Sequence, residues 1–462
     1  MKCTGSIPPQ NPQGSALVLS LIFIAVFAAM AAALATVSNA NVRIADNFRK
    51  ANMTRGSAES GLEVVRYWLS RVDMSGKIAP SERFSHMAST FQNQLTDAGI
   101  TNIVPVVSSS TITISNVPLL SSAGQSFSAV LTKIDNDNVR LDITGCYSSL
   151  SRTIHSNFVF GETANTVFDF GVVSKGPLSL QGSVDVNGVN VNVESNAYIE
   201  SLNTLLALSV GGSSEIGGNV KIVNPDADVF LGPNASVGGD TGTEAMEHIR
   251  IGVAPSSFPE MDPNAFIPYA TNLLSTSTDL KADQTLTNVH IPAGMNPKFT
   301  AKATIRGVLY IETPNVVEFG GTVNVMGIIV TDGDPTDNSG TSQLKFTGTV
   351  DSHPVTELPV ENQFNGLHTK LGTFIMAPGC AVSFSGNFST LNGAIAANGV
   401  SFSGNAGGMI HGSVINYANT AMELGGNSDL LFNRSGLDQV PAGFVPRIIV
   451  RYDPTSYTEA AL

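Results

Sequence analysis

The residues best suited to binding a cation lie in one acidic stretch, Thr331 to Asn338, with the sequence Thr-Asp-Gly-Asp-Pro-Thr-Asp-Asn. This stretch places the carboxylates of Asp332, Asp334 and Asp337 within one turn, and hard cations such as Ca²⁺ require oxygen ligands of this kind. It lacks the spacing and the bidentate glutamate of an EF-hand loop. An acidic surface loop between strands is therefore favoured. The three aspartates are weak metal candidates, and no metal site is predicted.

Catalytic motifs are absent from the sequence. It contains no Gly-x-Ser-x-Gly elbow, no phosphate-binding loop, no His-Glu-x-x-His and no Cys-x-x-Cys. The seven histidines show no ligand spacing and are interpreted as surface or turn residues: His86, His155, His248, His290, His353, His368 and His411. The sequence therefore predicts no catalytic residue, no cofactor and no enzyme.

The composition limits which class of protein the chain can belong to and which partners it can bind. A chain of 462 residues with 42% apolar content, 13% charge and 44 glycines predicts several parts and a largely β architecture. The net charge of −13 disfavours nucleic acid as a partner, because phosphate binding needs a concentrated Lys/Arg surface. Of the three cysteines, Cys3 lies at the extreme N-terminus, so only Cys146 and Cys380 could form a disulfide in an exported part.

One apolar stretch near the N-terminus predicts how the rest of the chain is anchored. No charged side chain occurs between Lys2 and Arg43, and residues 16–37 are almost wholly apolar. As a helix they would span roughly 33 Å, enough to cross a bilayer core. A cleavable secretory signal is the alternative, but the stretch is longer than the usual signal core. Helical apolar spacing continues beyond Val42, so one helix is predicted over residues 15–72, with Gly56 as its weak point.

The same segment carries a family resemblance. The run Gly14 to Leu19, the apolar helix after it, and Arg55-Gly-Ser-Ala-Glu-Ser-Gly-Leu-Glu63 together resemble the N-terminus of PilX-type minor pilins. The resemblance covers roughly the first 70 residues. It implies a leader of residues 1–14 that a prepilin peptidase removes after Gly14, with Ser15 as the methylated new N-terminus.

Two features depart from that family pattern. Major pilins carry a glutamate at the fifth mature position, where this chain has Leu19, so the resemblance favours a minor pilin. In addition, Arg43, Arg49, Lys50 and Arg55 follow the apolar run, and the positive-inside rule alone would place the C-terminal side in the cytoplasm. The family pattern and the downstream composition favour an extracytoplasmic C-terminal side, which is the topology we expect.

Two further regions are predicted behind the helix. Residues 73–165 should form a small α/β, pilin-like head, with an amphipathic helix at Ser81 to Ala98 and several alternating strands. From residue 166 onward, short β-prone runs are punctuated by glycine. The hexapeptide Val-Ser-Phe-Ser-Gly-Asn at Val382 recurs 18 residues later at Val400.

A spacing near 18 to 22 residues suits one coil of a right-handed parallel β-helix, and a β-sandwich with glycine-rich turns is the alternative. The predicted β-helix has one part at residues 166–250 and another at 291–435. A proline-rich insertion at residues 251–290 separates them, and residues 436–462 form a C-terminal tail. The insert and the glycine-rich units together resemble uncharacterised C-terminal regions found behind PilX-like N-termini.

These expectations combine into one functional prediction. The chain should be a single-pass membrane protein, anchored through residues 16–37, that displays a β-helical body for pilus or pseudopilus assembly or surface adhesion. Its expected partners are the prepilin peptidase, other pilin-like subunits and a surface polysaccharide. The alternative is a membrane-tethered, carbohydrate-active β-helix, which needs paired carboxylates in a groove. A self-polymerising scaffold is a third reading and needs uncapped terminal coils.

Overall fold

The computed structural model describes residues 13–120, 124–337, 339–436 and 440–460, with the side chains of residues 13–15 and 120 left aside. The chain forms two compact units. The first comprises residues 1–74, 78–161 and 449–462, and the second comprises residues 75–77 and 162–448. A long apolar N-terminal helix is followed by a mostly β body with parallel sheets, as the sequence analysis predicts in general terms.

The first unit combines two helices with one antiparallel sheet, sheet A. Its elements up to residue 163 are α1 (Gln13–Leu69), β1 (Asp73–Ser75), α2 (Arg83–Asp97), β2 (Val106–Val107), β3 (Thr111–Leu120), β4 (Gln125–Lys133), β5 (Asn138–Tyr147) and β6 (Leu150–Thr163).

Helix α2 buries an apolar stripe at helical spacing, with Phe84, Met87, Phe91 and Leu95 all nearly inaccessible to solvent. Strands β4 and β5 alternate buried and part-exposed residues, the pattern of a sheet that is covered on one face.

The second unit repeats short strands between residues 172 and 432. In chain order they are β7 (Val172–Ser174), β8 (Leu178–Gly182), β9 (Asp185–Gly188), β10 (Ala197–Ile199), β11 (Leu206–Val210), β12 (Glu215–Ile216), β13 (Val220–Ile222), β14 (Asp228–Leu231), β15 (Ser236–Val237), β16 (Asp240–Thr241), β17 (Ile249–Ile251), β18 (Asn272–Leu273), β19 (Gln284–Ile291), β20 (Lys298–Phe299), β21 (Ala303–Ile311), β22 (Val316–Phe319), β23 (Val323–Thr331), β24 (Gln343–Phe346), β25 (Val350–His353), β26 (Thr373–Ala377), β27 (Ala381–Phe384), β28 (Thr390–Asn392), β29 (Ala394–Ala397), β30 (Val400–Phe402), β31 (Gly408–His411), β32 (Val414–Asn416), β33 (Met422–Gly426) and β34 (Asp429–Phe432).

These strands form three sheets, B, C and D, and the registered pairs are parallel except for β15 with β16. Sheet B runs in the order β17-β13-β10-β7-β32-β29-β26-β23-β21-β19-β18. Sheet C runs β14-β11-β8-β33-β30-β27-β24-β22-β20, and sheet D runs β16-β15-β12-β9-β34-β31-β28. The chain therefore starts at the middle of the stack, builds outward to β17, resumes at the far end with β18, and returns to close against β7.

Apolar side chains fill the space that the three sheets enclose. Phe299, Phe319, Phe346, Phe384 and Phe402 stack in one ladder, with successive ring centroids 4.9–5.4 Å apart and planes within 11° of parallel. Each phenylalanine is almost fully buried. In-register pairing places them at the same position of successive strands in sheet C.

The other face of sheet B is covered by connecting segments. The stretch between β17 and β18, rich in proline, contributes Phe266, and the stretch between β25 and β26 contributes Phe364 and Leu367. The buried hydroxyl of Tyr417 donates a hydrogen bond to the carbonyl of Pro259. Because sheet B is covered on both faces, its strands read as continuous apolar runs, as in Thr373–Ala377.

The chain ends in a strand that the sequence analysis did not predict. Strand β35 (Arg447–Glu459) lies in sheet A, whose order is β1-β35-β6-β5-β4-β3-β2. Its Glu459 carboxylate accepts ion pairs from Arg55 at 3.0 Å and from Arg152 at 2.9 Å. The C-terminal residues thus complete the first unit, where the sequence analysis placed a tail at residues 436–462.

Candidate functional surfaces

The first part of α1 presents a continuous apolar surface. Its large apolar side chains between Leu17 and Val37 each leave 48–68% of their surface exposed. We call residues 16–37 the apolar segment. Among the described residues, α1 is the one helix long and apolar enough to cross a membrane. Apolar surface in water costs roughly 25 cal/mol per Å², so an uncovered segment of this size is strongly unfavourable in solution.

The second part of α1 is fixed to sheet A through small residues. Thr54, Ser57 and Ala58 are buried, and a Cβ atom placed on Gly145 of β5 would lie only 2.3 Å from the Ala58 amide nitrogen. One turn further on, Gly61 lies against the ring of Phe127. Leu62, Val65 and Leu69 then continue the buried stripe. One continuous helix therefore joins the apolar segment to the folded unit.

Charged residues separate these two parts of the helix. Asp46 accepts ion pairs from Lys50 at 2.7 Å and from Arg49 at 3.0 Å. The hydrogen bonds from Lys50 and then Arg49 lower the pKa of the Asp46 carboxyl. Arg55 pairs with Glu59 at 2.9 Å as well as with Glu459. Lipid or another helix that covers the apolar segment would meet this charged region at its C-terminal border.

The predicted processing residues lie at the start of α1. Gly14 and Ser15 belong to the helix by their backbone, whereas the leader before Gln13 is outside the described residues. Leu19, at the fifth position after Gly14, leaves 57% of its side chain exposed. The cleavage site therefore stays a prediction.

The three carboxylates of the acidic stretch bind different partners and do not form one shared site. Asp332 accepts hydrogen bonds from the amide and hydroxyl of Thr313, Asp334 from Thr336, and Asp337 from Ser339. Asn338 is outside the described residues. Within the part of the chain that the structure describes, no three His, Cys, Asp or Glu side chains are grouped to hold a metal ion. Asp334 and Asp337 each organise their own turn, whereas Asp332 holds the segment around Thr313, 19 residues earlier in the chain.

Several histidines pair with carboxylates and are not gathered at one site. The pairs are His155 with Asp142 at 2.6 Å, His248 with Asp240 at 2.9 Å, His290 with Glu312 at 3.0 Å, and His353 with Glu357 at 3.0 Å. Cys146 and Cys380 are free thiols. Burial raises the pKa of the Cys380 thiol to about 12, so this cysteine is unreactive at neutral pH.

A row of carboxylates on sheet D was not predicted from the sequence. In-register pairing places Asp429 beside Asp185, and Asp185 beside Glu215, on three adjacent strands. Partial desolvation, and then the charge of Asp185, raise the pKa of the Asp429 carboxyl. No local motif marks this row, because its members lie far apart in the sequence.

The second unit also contains a cleft of about 240 Å³ beside sheet B. Three glycines line it. Gly372 and Gly393 directly precede β26 and β29, and Gly412 lies two residues before β32. Pro354, Val355, Leu371, Phe168 and Pro441 supply apolar walls, and Lys370, Asn392 and His411 supply polar groups. No carboxylate is among the described residues that line it. The described lining thus combines apolar walls with one lysine, one asparagine and one histidine.

Comparisons with known proteins assign the chain to no family. No family model and no curated protein matches it. Among solved structures it is similar to the competence-associated pilin ComZ from Thermus thermophilus, with 11% identity over 89% of this chain and 98% of that chain, at a TM-score of 0.25. A likeness at that TM-score does not establish a shared fold or function.

Proposed function

We propose that this chain is a membrane-anchored structural protein of the type IV pilin-like kind, close to the minor pilins, whose β body is displayed outside the cell. The observation that carries the proposal is the continuity of α1. Its front is wholly exposed and apolar, and its rear is buried on its own sheet. A helix of this construction can enter lipid or a bundle of like helices while it holds a folded unit at the surface.

The body is proposed to be a right-handed parallel β-helix. From β7 to β15 and from β26 to β34 the strands follow the repeating sheet order B, C, D, whereas β18 to β25 lie only in sheets B and C. Strands of successive repeats pair in parallel. The stacked phenylalanines repeat the same inward position in coil after coil, which is the signature of a solenoid. Helix α2 and sheet A would then be the pilin-like head between anchor and body.

A carbohydrate-active enzyme is the weaker reading. Glycoside hydrolysis needs two carboxylates on opposite sides of a bound sugar. Asp185, Asp429 and Glu215 lie in one row on a strand face, whereas the lining of the 240 Å³ cleft has no carboxylate among the described residues. Among the described residues, these three acids lie on strands that do not line the cleft, and we propose a structural role.

The proposal names its partners and its location. The apolar segment would contact the cell membrane or other pilin-like subunits, and a prepilin peptidase would cut after Gly14 to leave Ser15 as the first residue. The net charge of −13 argues against nucleic acid as a partner. The remaining residues would lie on the extracytoplasmic side, in the membrane or on a pilus.

The test is the mature N-terminus of the membrane-extracted protein, measured by intact-mass spectrometry and N-terminal sequencing. We expect a chain that begins at Ser15 with a methylated amine when the prepilin peptidase is present. Replacing Gly14 with leucine should leave the leader attached, whereas the matched Gly56→Leu change should not alter processing. A chain that begins near Ala35, as after an ordinary secretory signal, would refute the proposal.

A further inference from the structure

The cleft beside sheet B offers one cation and several unused hydrogen-bonding groups. The Lys370 ammonium group has no hydrogen-bond or ion-pair partner within the described part of the chain. Asn392 uses an amide N–H on the carbonyl of Ser352, which leaves its own oxygen free. His411 uses Nε2 on the carbonyl of Ser435 at 3.0 Å, which leaves Nδ1 free. A bound molecule could therefore meet a positive charge and two polar side chains together.

Strand register places Asn392 and His411 side by side. The two residues pair in register between β28 and β31, so their side chains occupy equivalent places in neighbouring coils. Each is followed directly by a glycine of the cleft, Gly393 or Gly412, which adds no side chain to the space beside it. The same arrangement, a polar residue followed by glycine, therefore occurs on two adjacent strands and does not depend on a single loop.

We propose that this cleft binds one acidic sugar residue, such as a hexuronate. The cleft volume fits a single sugar ring, since pockets that bind drug-sized ligands measure about 300–1,000 Å³ and this cleft is smaller. The apolar surface of Leu371, Pro354 and Val355 suits the C–H face of a pyranose. Asn392 and His411 suit its hydroxyl groups, and Lys370 suits its carboxylate.

The charge of the surrounding unit limits what can bind. Residues 75–77 and 162–448 contain 26 acidic and 12 basic residues, so a long polyanion would be repelled. One carboxylate beside Lys370 avoids most of that repulsion. The geometry therefore favours a terminal or branching acidic residue of an otherwise neutral glycan. This inference goes beyond the proposed structural role and stands whether or not the chain enters a filament.

The experiment is a titration of the full chain in detergent, followed by saturation-transfer NMR and calorimetry. The probes are glucuronate, glucose as its neutral counterpart, and N-acetylglycine as a carboxylate without a ring. We expect saturable binding of glucuronate and affinity at least ten-fold lower for the other two. Lys370→Gln should lower glucuronate affinity at least ten-fold.

Matched variants separate this site from general charge effects. Lys345→Gln removes another lysine of the same unit, on β24 of sheet C and outside the cleft, and should leave glucuronate affinity unchanged. Circular dichroism melting curves should coincide for both variants and the parent chain. The inference is overturned if glucuronate does not bind, if N-acetylglycine or glucose binds as tightly, or if Lys370→Gln has no greater effect than Lys345→Gln.

Discussion

At Gly145 the backbone of β5 approaches α1 so closely that no side chain fits. A Cβ atom there would lie 2.3 Å from the Ala58 amide nitrogen and 2.4 Å from the Thr54 carbonyl oxygen. Both neighbours are backbone atoms and cannot move independently of the helix. This contact fixes the rear of α1 to sheet A, so one residue controls how the helix is joined to the first unit.

Gly145→Ala should therefore destabilise the first unit by about 1–3 kcal/mol, because overpacking forces the helix away from the sheet. Gly56→Ala is the matched control in α1, since a Cβ atom at Gly56 meets nothing within 4 Å. The control should stabilise by about 0.5–1 kcal/mol through helix propensity. Trp68 is the single tryptophan and lies in α1, so its fluorescence during urea denaturation reports this unit. Equal effects of the two changes would contradict the close contact.

The carboxylate row makes stability depend on pH. The pKa of Asp429 is raised in the folded protein, so folding is favoured when this group is protonated. That contribution is complete below the ordinary value of 3.8 and is lost as pH rises through the folded pKa. At neutral pH the ionised Asp429 carboxylate is partly desolvated and, in addition, is repelled by the charge of Asp185.

Asp429→Asn should accordingly raise the melting temperature at pH 7, and the difference from the parent chain should vanish near pH 3. Melting curves followed by circular dichroism at both pH values measure this. Asp228→Asn, a change of an exposed aspartate on β14, should have no such effect. A melting temperature at pH 7 that is unchanged or lower in Asp429→Asn would argue against repulsion within the row.

Among the elements, those with a local signal were predictable from the sequence. The apolar segment is a continuous run. The hexapeptide Val-Ser-Phe-Ser-Gly-Asn occurs twice because Phe384 and Phe402 take the same buried position on adjacent strands of sheet C. Strand β35 was missed because it pairs with residues some three hundred positions earlier. The cleft was missed for the same reason, since Lys370, Asn392 and His411 are separated in sequence and line one cleft only in the folded unit.

The phenylalanine ladder should be the most sensitive element of the second unit. Phe346 stacks between Phe319 and Phe384, at centroid distances of 5.4 Å and 4.9 Å. Phe346→Ala should cost about 3–5 kcal/mol, because it opens a cavity between Phe319 and Phe384 that the paired strands of sheet C cannot close. Far-UV circular dichroism during guanidinium denaturation measures the loss.

Phe230→Ala is the control for the ladder. Phe230 lies on β14 of the same sheet, with 51% of its side chain exposed. Its removal should change stability by no more than about 0.5 kcal/mol. A Phe346→Ala protein as stable as the control would mean that the rings are not packed as a continuous core.

Across the whole molecule, the chain path and the charge both distinguish the second unit. This unit starts at β7, and β32 to β34 later pair with β7 to β9, so sheet B extends from this middle toward β17 on one side and toward β18 on the other. The charge is divided as well, since the second unit has 26 acidic residues against 12 basic ones, and the rest of the chain has 11 against 12. A strongly acidic body suits a hydrated position outside the membrane.

Protease accessibility in intact spheroplasts that express the full chain shows on which side of the membrane the body lies. We predict that added protease digests the body while a fragment containing the apolar segment stays in the membrane and resists alkaline extraction. A body that is protected until the membrane is broken would place it in the cytoplasm. That result, or a soluble protein lacking residues 16–37, would show that this helix does not survive maturation to hold the body outside the cell.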